Sequence, residues 1–294
     1  MLKDALQLTS SLNRPLGVFD SGVGGLTVLK ALKAALPQQD FIYLGDTARL
    51  PYGRKPPQMV AEFARGITRF LLECGVQGIV IACNTASSVV LPALEGEVDV
   101  PVWGVIEPGV EAARRSTKSG KVGVIGTKGT ILSKAYQNRL EKLGLNAWGQ
   151  ACPLFVPLVE EGLFDSSEAE MLAHFYLDSR PEIDTLILGC THYPVLKPML
   201  ERVLGDSVRL VDSAEVTAEG VRSALEPSAL EPSALELEPR SGKPGRILHF
   251  VTGDPLAYTH TAGVIGGVEG DIHALEGSIL SGFEQPYPLE AIHG

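Results

Sequence analysis

The apolar positions of this chain fall in short unbroken runs, separated by longer stretches in which apolar residues recur at helical spacing. Runs of four or five apolar residues bounded by turn-formers predict buried strands, and the spaced pattern predicts amphipathic helices. Leu16–Phe19 reads as a strand, Asp20–Gly25 as a Gly-rich loop, and Leu26–Leu36 as a helix stopped by Pro37. A strand over Phe41–Leu44 runs into the polar loop Gly45–Lys55, followed by a helix from Pro57 to Cys74. Gly78–Ala82 is a strand, Ala86–Leu94 a helix and Val102–Val105 a strand, after which Glu107-Pro108 opens another helix. The pattern then restarts. Lys121–Ile125 is a strand, Gly126–Thr130 a loop, and one helix runs on to Leu143, where Gly144 ends it. Strands follow at Ala147–Cys152, Leu186–Gly189 and Val208–Val211, with a helix after Pro194. Arg246–Thr252 supplies a late strand, and Gly253-Asp254-Pro255 opens a last helix.

Strands that alternate with helices and are apolar throughout predict parallel sheets covered on both faces. Gly17-Val18-Phe19 is echoed by Gly123-Val124-Ile125, 106 positions on, and Cys83 by Cys190, 107 positions on. Two pairs agreeing within one residue point to an internal duplication. The expected fold class is therefore α/β: two similar, pseudo-symmetric domains with mostly parallel sheets flanked by helices, and an active site in the cleft between them. The expected division assigns 1–105 plus 214–294 to the first domain and 106–213 to the second, with 1–15 an N-terminal extension. In open parallel sheets the ligand crevice lies beyond the carboxyl ends of the strands. Asp20-Ser21, Cys83-Asn84, Thr127 and Cys190-Thr191-His192 all stand at such ends. One segment is out of character: Ser-Ala-Leu-Glu-Pro repeats from Ser223, and its regular prolines cannot continue a helix. Leu225–Gly245 reads as a low-complexity surface insertion with no part in the site.

Composition narrows the function classes. The 294 residues are 45% hydrophobic and 20% charged, which is globular. A net charge of −10 argues against a nucleic-acid footprint, so an anionic ligand must be met by local donors. No run approaches the ~20 apolar residues of a membrane span, and Met1–Arg14 lacks a signal-peptide core. Cys74, Cys83, Cys152 and Cys190 show neither CxxC spacing nor a zinc-type cluster, so no metal is expected and the thiols read as reduced and cytoplasmic.

Cys74 and Cys152 read as small buried apolar residues. Cys83 and Cys190 each end a strand, precede a helix and are followed by polar residues, a position where the helix terminus is expected to lower a thiol pKa. A disulfide would need Cα atoms within ~7 Å, leaving no room for a ligand. A cleft with a thiol on each side suits removal of a proton from one face of a carbon and its return on the other, which inverts a stereocentre. The loop Gly22–Gly25 lacks the Lys and Ser/Thr of a phosphate-binding loop. His174, His249, His260, His273 and His293 form no ligand spacing and read as structural or surface groups.

These stretches carry a family resemblance. Phe19-Asp20-Ser21-Gly22-Val23-Gly24-Gly25-Leu26, Asp46-Thr47 with Pro51-Tyr52-Gly53, Ala82-Cys83-Asn84-Thr85-Ala86-Ser87 and Leu188-Gly189-Cys190-Thr191-His192-Tyr193-Pro194 closely resemble glutamate racemase, of the aspartate/glutamate racemase family. Val211-Asp212-Ser213 and Thr252-Gly253-Asp254 fit as well. The resemblance implies a cofactor-independent isomerase that interconverts L- and D-glutamate and supplies D-glutamate for peptidoglycan. It implies a cytoplasmic enzyme, a homodimer, that needs no nucleic acid or membrane. By resemblance Cys83 handles the proton of the D-isomer, assisted by Asp20, and Cys190 that of the L-isomer, assisted by His192. Glu160 matches a further acid near the second thiol, with Glu161 one residue away. Asp20, Ser21, Tyr52, Gly53, Cys83, Asn84, Thr85, Thr127, Thr191 and His192 are the expected substrate contacts. Asp20 and Asp46 are acceptors suited to an ammonium, although Asp20 could cap the following helix, alone or together with a catalytic role, and Asp46 could order its loop. An aspartate racemase, another amino-acid racemase, or a non-catalytic amino-acid-binding protein on the same scaffold are the alternatives.

Overall fold

The computed structural model describes residues 2–225 and 243–281. The strands are β1 (Leu16–Asp20), β2 (Phe41–Gly45), β3 (Gly78–Ile81), β4 (Val102–Gly104), β5 (Lys121–Gly126), β6 (Asn146–Ala151), β7 (Thr185–Gly189), β8 (Arg209–Asp212), β9 (Ile247–Val251) and β10 (Asp271–Ala274). The helices are α1 (Leu2–Thr9), α2 (Leu26–Ala35), α3 (Pro57–Glu73), α4 (Asn84–Glu97), α5 (Ile106–Ser116), α6 (Lys128–Leu132), α7 (Ala135–Lys142), α8 (Phe155–Glu160), α9 (Ser167–Leu177), α10 (Lys197–Leu204), α11 (Ser213–Leu225), α12 (Pro255–Ile265) and α13 (Gly277–Ser281).

Two sheets organise the chain, in the orders β10-β9-β2-β1-β3-β4 and β6-β5-β7-β8. Every pairing in both is parallel. The core order β2-β1-β3-β4 recurs as β6-β5-β7-β8, which is the duplication seen in Gly17-Val18-Phe19 and Gly123-Val124-Ile125; β9 and β10 extend the first sheet beyond β2. All five residues of β1, β2, β7 and β9 are buried, because helices cover both faces and no position is left facing solvent. One face of the first sheet packs Phe19, Ile42, Leu44, Ile79 and Ile81 against α3 and α4. The other packs Val18, Tyr43 and Val80 against α2 and α11. The second sheet likewise has α8, α9 and α10 on one side and α5 and α7 on the other.

The structure corrects several expectations. The helix expected to run on to Leu143 breaks into α6 and α7, because Lys134 adopts a left-handed conformation with φ 53°. α12 is not the last element: β10 and α13 follow it. The expected surface insertion is shorter at both ends. Leu225 closes α11 fully buried, and Gly245 is buried, its N–H donating to Pro37 O and its carbonyl accepting from Lys33 Nζ. Its interior, 226–242, lies outside the described residues. Among the described residues no helix is long and apolar enough to cross a membrane.

Candidate active site

Strand ends from both sheets converge on one cavity of about 190 Å³. That is below the ~300–1,000 Å³ of common ligand pockets and suits a small solute. Ser21 enters after β1, Cys83, Asn84 and Thr85 after β3, Thr127 after β5, and Cys190, Thr191 and His192 after β7. The loop after β2 adds Tyr52 and Gly53, and α8 adds Glu160. Of the expected site residues only Asp20 does not line the cavity: it lies behind the wall, fully buried. Gly22 and Pro51, which belong to stretches that carried the resemblance, Val156 and Pro157, which precede Glu160, and Leu50 and Arg54, which flank Pro51-Tyr52-Gly53, complete the lining.

The two halves are joined by polar contacts around this cavity. Thr191 Oγ1 donates to Asp20 Oδ1 at 3.3 Å, and Thr27 Oγ1 donates to Thr191 O at 3.0 Å. Thr85 Oγ1 lies 2.9 Å from Thr127 Oγ1 and 3.2 Å from Thr130 Oγ1, forming a triangle of hydroxyls. Tyr136 donates to Asn84 Oδ1 at 2.7 Å. The Gly-rich loop serves close approach: a Cβ on Gly24 would stand 2.3 Å from Thr191 Oγ1, and one on Gly53 would stand 2.4 Å from Thr127 Cβ.

The two thiols line the same cavity in unlike surroundings. Cys83 is 4% exposed at the N-terminus of α4, where its sulfur accepts from Ala86 N at 3.5 Å. Its thiol donates to Ser21 Oγ at 3.7 Å. The expected lowering of this thiol is overturned. Burial, joined by the like charge of Asp20, outweighs the donors Ala86 N–H and Ser21 and pushes Cys83 up to about 12. Asp20 is not the N-cap residue of α2, which is Gly25; its Oδ2 accepts from Gly22 N at 2.9 Å, and its carboxylate also meets the Gly25 amide. Burial raises its carboxyl, although the His192 charge, the Gly22 and Gly25 amides and Thr191 all oppose the rise.

Cys190 faces His192, with Sγ 3.9 Å from Nδ1. The opposite ring nitrogen, Nε2, lies 2.9 Å from Glu160 Oε1. Burial alone would push the imidazole down, but hydrogen bonds to Cys190 and Glu160 outweigh it and lift His192 to about 10. At neutral pH it is an imidazolium with one N–H toward each partner. The contact is made by Glu160; Glu161 is exposed at the C-terminus of α8.

Asp46 orders its loop and does not face the cavity. Its carboxylate takes the Tyr52 hydroxyl, Thr252 Oγ1 at 2.8 Å and Arg49 Nε at 2.9 Å. A buried carboxylate with three donors is satisfied where it stands. Asn84 is the reverse case: its Nδ2 is buried with no partner, on a residue that lines the cavity. None of the four cysteines is in a disulfide, and among the described residues no cluster of His, Cys, Asp and Glu is suited to a metal ion.

Comparison with known proteins gives a consistent picture. Residues 24–221 match the model of the Asp/Glu/Hydantoin racemase family. A glutamate racemase of Thermus thermophilus is 53% identical over 253 residues, covering 86% of this chain and 92% of the relative. The crystal structure of the Thermus thermophilus glutamate racemase in complex with β-chloro-D-alanine superposes with a TM-score of 0.81 at 50% identity, over 90% of this chain and 98% of that one. The glutamate racemase of Francisella tularensis in complex with D-glutamate also gives 0.81, at 34% identity over 92% and 99% of the two chains. With two duplicated parallel sheets and one cavity flanked by thiols, the chain belongs to the glutamate racemases of the Asp/Glu/Hydantoin racemase family and is an amino-acid isomerase.

Proposed function

We propose that the protein interconverts L- and D-glutamate, without a cofactor, by 1,1-proton transfer between Cys190 and Cys83. The observation that carries this reading is the placement of both thiols on one small cavity, each from a different sheet and each with its own buried helper. Glutamate is named by the relatives, one of which holds D-glutamate. Arg54, an exposed residue of the lining, offers a guanidinium to one of the two carboxylates of an acidic amino acid. The division 1–105 with 214–294 against 106–213 then sets one thiol on each domain. A homodimer in the cytoplasm, supplying D-glutamate for peptidoglycan, completes the proposal.

In the L-to-D direction the Cys190 thiolate takes the Cα proton: an S–H bond forms and the C–H pair passes to the α-carbon and its carboxylate. The Cys83 thiol then gives its proton to the opposite face, leaving a thiolate. Asn84 Nδ2 and the Thr85 and Ser21 hydroxyls are the proposed donors to the substrate carboxylate. The His192 imidazolium stabilises negative charge at Cys190, and Glu160 keeps that imidazolium charged. Asp20, whose carboxyl burial raises, is the proposed assisting group for Cys83 in the reverse direction.

Two variants test the assignment. Because the two enantiomers are equal in free energy, kcat/KM must fall equally in both directions whichever thiol is lost. Solvent exchange separates the roles. Cys83→Ala is expected to lose racemisation and D-glutamate exchange while still exchanging the α-proton of L-glutamate with deuterated water. Cys190→Ala is expected to do the reverse. Full racemisation in either variant would sink the two-thiol reading, and activity on aspartate with glutamate inert would sink the substrate.

A further inference from the structure

We infer that Tyr136 is a positioning residue that locks the Asn84 side-chain amide with its N–H₂ toward the cavity, an inference that rests on the proposed role of Asn84 as a donor to the substrate carboxylate. Tyr136 stands in the first turn of α7 and is fully buried. It reaches from the second half of the chain to a residue 52 positions earlier. An amide in this place has two orientations related by a half-turn, and only one presents a donor to a carboxylate. The neighbours of the tyrosine oxygen choose between them. Ser213 stands beside that oxygen and favours its anionic form, opposing the rise that burial imposes. The phenolic hydrogen has two acceptors, Asn84 Oδ1 at 2.7 Å and Val105 O at 3.4 Å, and the nearer is strongly preferred. With Oδ1 taken, Nδ2 remains without a partner, on a side chain that lines the cavity. The flipped amide would turn Oδ1 toward the cavity and repel a carboxylate.

The arrangement also spans the two halves: Tyr136 follows β5, Ser213 follows β8 and Asn84 follows β3. The carboxylate donor is therefore oriented only when both halves are in place.

Tyr136→Phe keeps the ring and its packing and removes only the hydroxyl. The expected result is a rise in KM for both glutamate enantiomers of about tenfold, the scale of one hydrogen bond to a charged group. The change in kcat is smaller, because binding lost equally in ground and transition states appears in KM. Asn84→Ala is expected to raise KM by at least as much, and the double variant to be no worse than Asn84→Ala alone. A purely structural role for Tyr136 would make the two effects add. Wild-type KM in Tyr136→Phe, or additive effects in the double variant, would overturn the inference. If Tyr136→Phe does not fold, Asn84→Asp takes its place. It has the same shape, keeps an acceptor for the Tyr136 hydroxyl and loses the Nδ2 donor, so it is expected to raise KM at least tenfold; an unchanged KM overturns the inference. Failure of the wild-type chain to racemise glutamate would instead strike the proposed function, on which this inference rests.

Discussion

Gly24 offers a perturbation whose size can be worked out from the structure. A Cβ at this position would lie 2.3 Å from Thr191 Oγ1, 2.5 Å from His192 Nδ1 and 2.6 Å from His192 Cε1. Ordinary contact begins near ~3.5 Å, so the neighbours must retreat by about 1 Å. They have little freedom to do so. Thr191 is held by Asp20 through its hydroxyl and by Thr27 through its carbonyl, and the His192 ring is fixed by Glu160 on one nitrogen and Cys190 on the other. The retreat must come from parting the Gly-rich loop and the turn after β7, which moves Cys190 relative to Cys83. Overpacking of this kind costs about 1–3 kcal/mol. In a chain of this size that corresponds to a fall in Tm of roughly 5 °C. A misplacement of about 1 Å in a reacting group costs on the order of 100-fold in rate. Gly24→Ala is therefore expected to lose about two orders of magnitude in kcat/KM, followed by circular dichroism on L-glutamate, with only a modest loss in Tm. Gly22→Ala, whose Cβ meets nothing closer than Leu50 Cδ2 at 3.6 Å, should keep the wild-type Tm. Wild-type kcat/KM together with wild-type Tm in Gly24→Ala would refute the reasoning that this glycine exists for close approach.

Two further outcomes follow from the titrating groups. Glu160 helps to hold His192 at about 10, so Glu160→Gln should move the alkaline limb of the kcat/KM profile toward neutral pH and leave the acid limb in place; an unmoved alkaline limb would detach Glu160 from His192. The stability that the charged His192 brings is present below its ordinary value of about 6.5 and is lost as pH rises through about 10. His249 behaves in the opposite sense. Burial pushes it down to about 4, although the Glu269 carbonyl opposes this, so the folded chain keeps it neutral where the unfolded chain protonates it. Its contribution is complete above about 6.5 and is lost as pH falls toward 4, a difference of roughly 3 kcal/mol. Denaturant unfolding across that range should show this slope in the wild-type chain and a shallower one in His249→Gln; equal slopes would refute it.

The sequence carries the fold well, because the strands buried on both faces are unbroken apolar runs that end where the polar site residues begin. Cys83 and Cys190 stand out for that reason, and the recurrence of strand order in the two sheets follows from the same spacing. What stayed hidden depends on tertiary approach. Nothing local distinguishes Glu160 from Glu161; the phase of α8 decides which one meets His192. Tyr136 lies on a short helix whose start is set by the left-handed Lys134, and its partner is 52 residues away. The role of Asp46 turned on the Tyr52 hydroxyl and on Thr252, 206 residues later. The Cys83 thiol shows the limit of local electrostatics: the helix terminus is present, but burial and Asp20 outweigh it.

The central claim is that two thiols work on opposite faces of one α-carbon. It is tested most directly by following L-glutamate with the wild-type enzyme in deuterated water, without pyridoxal phosphate, at low conversion. The account predicts that the D-glutamate formed carries solvent deuterium at Cα while the remaining L-glutamate still carries protium. D-glutamate that retains the original proton, or no inversion at all, would contradict it.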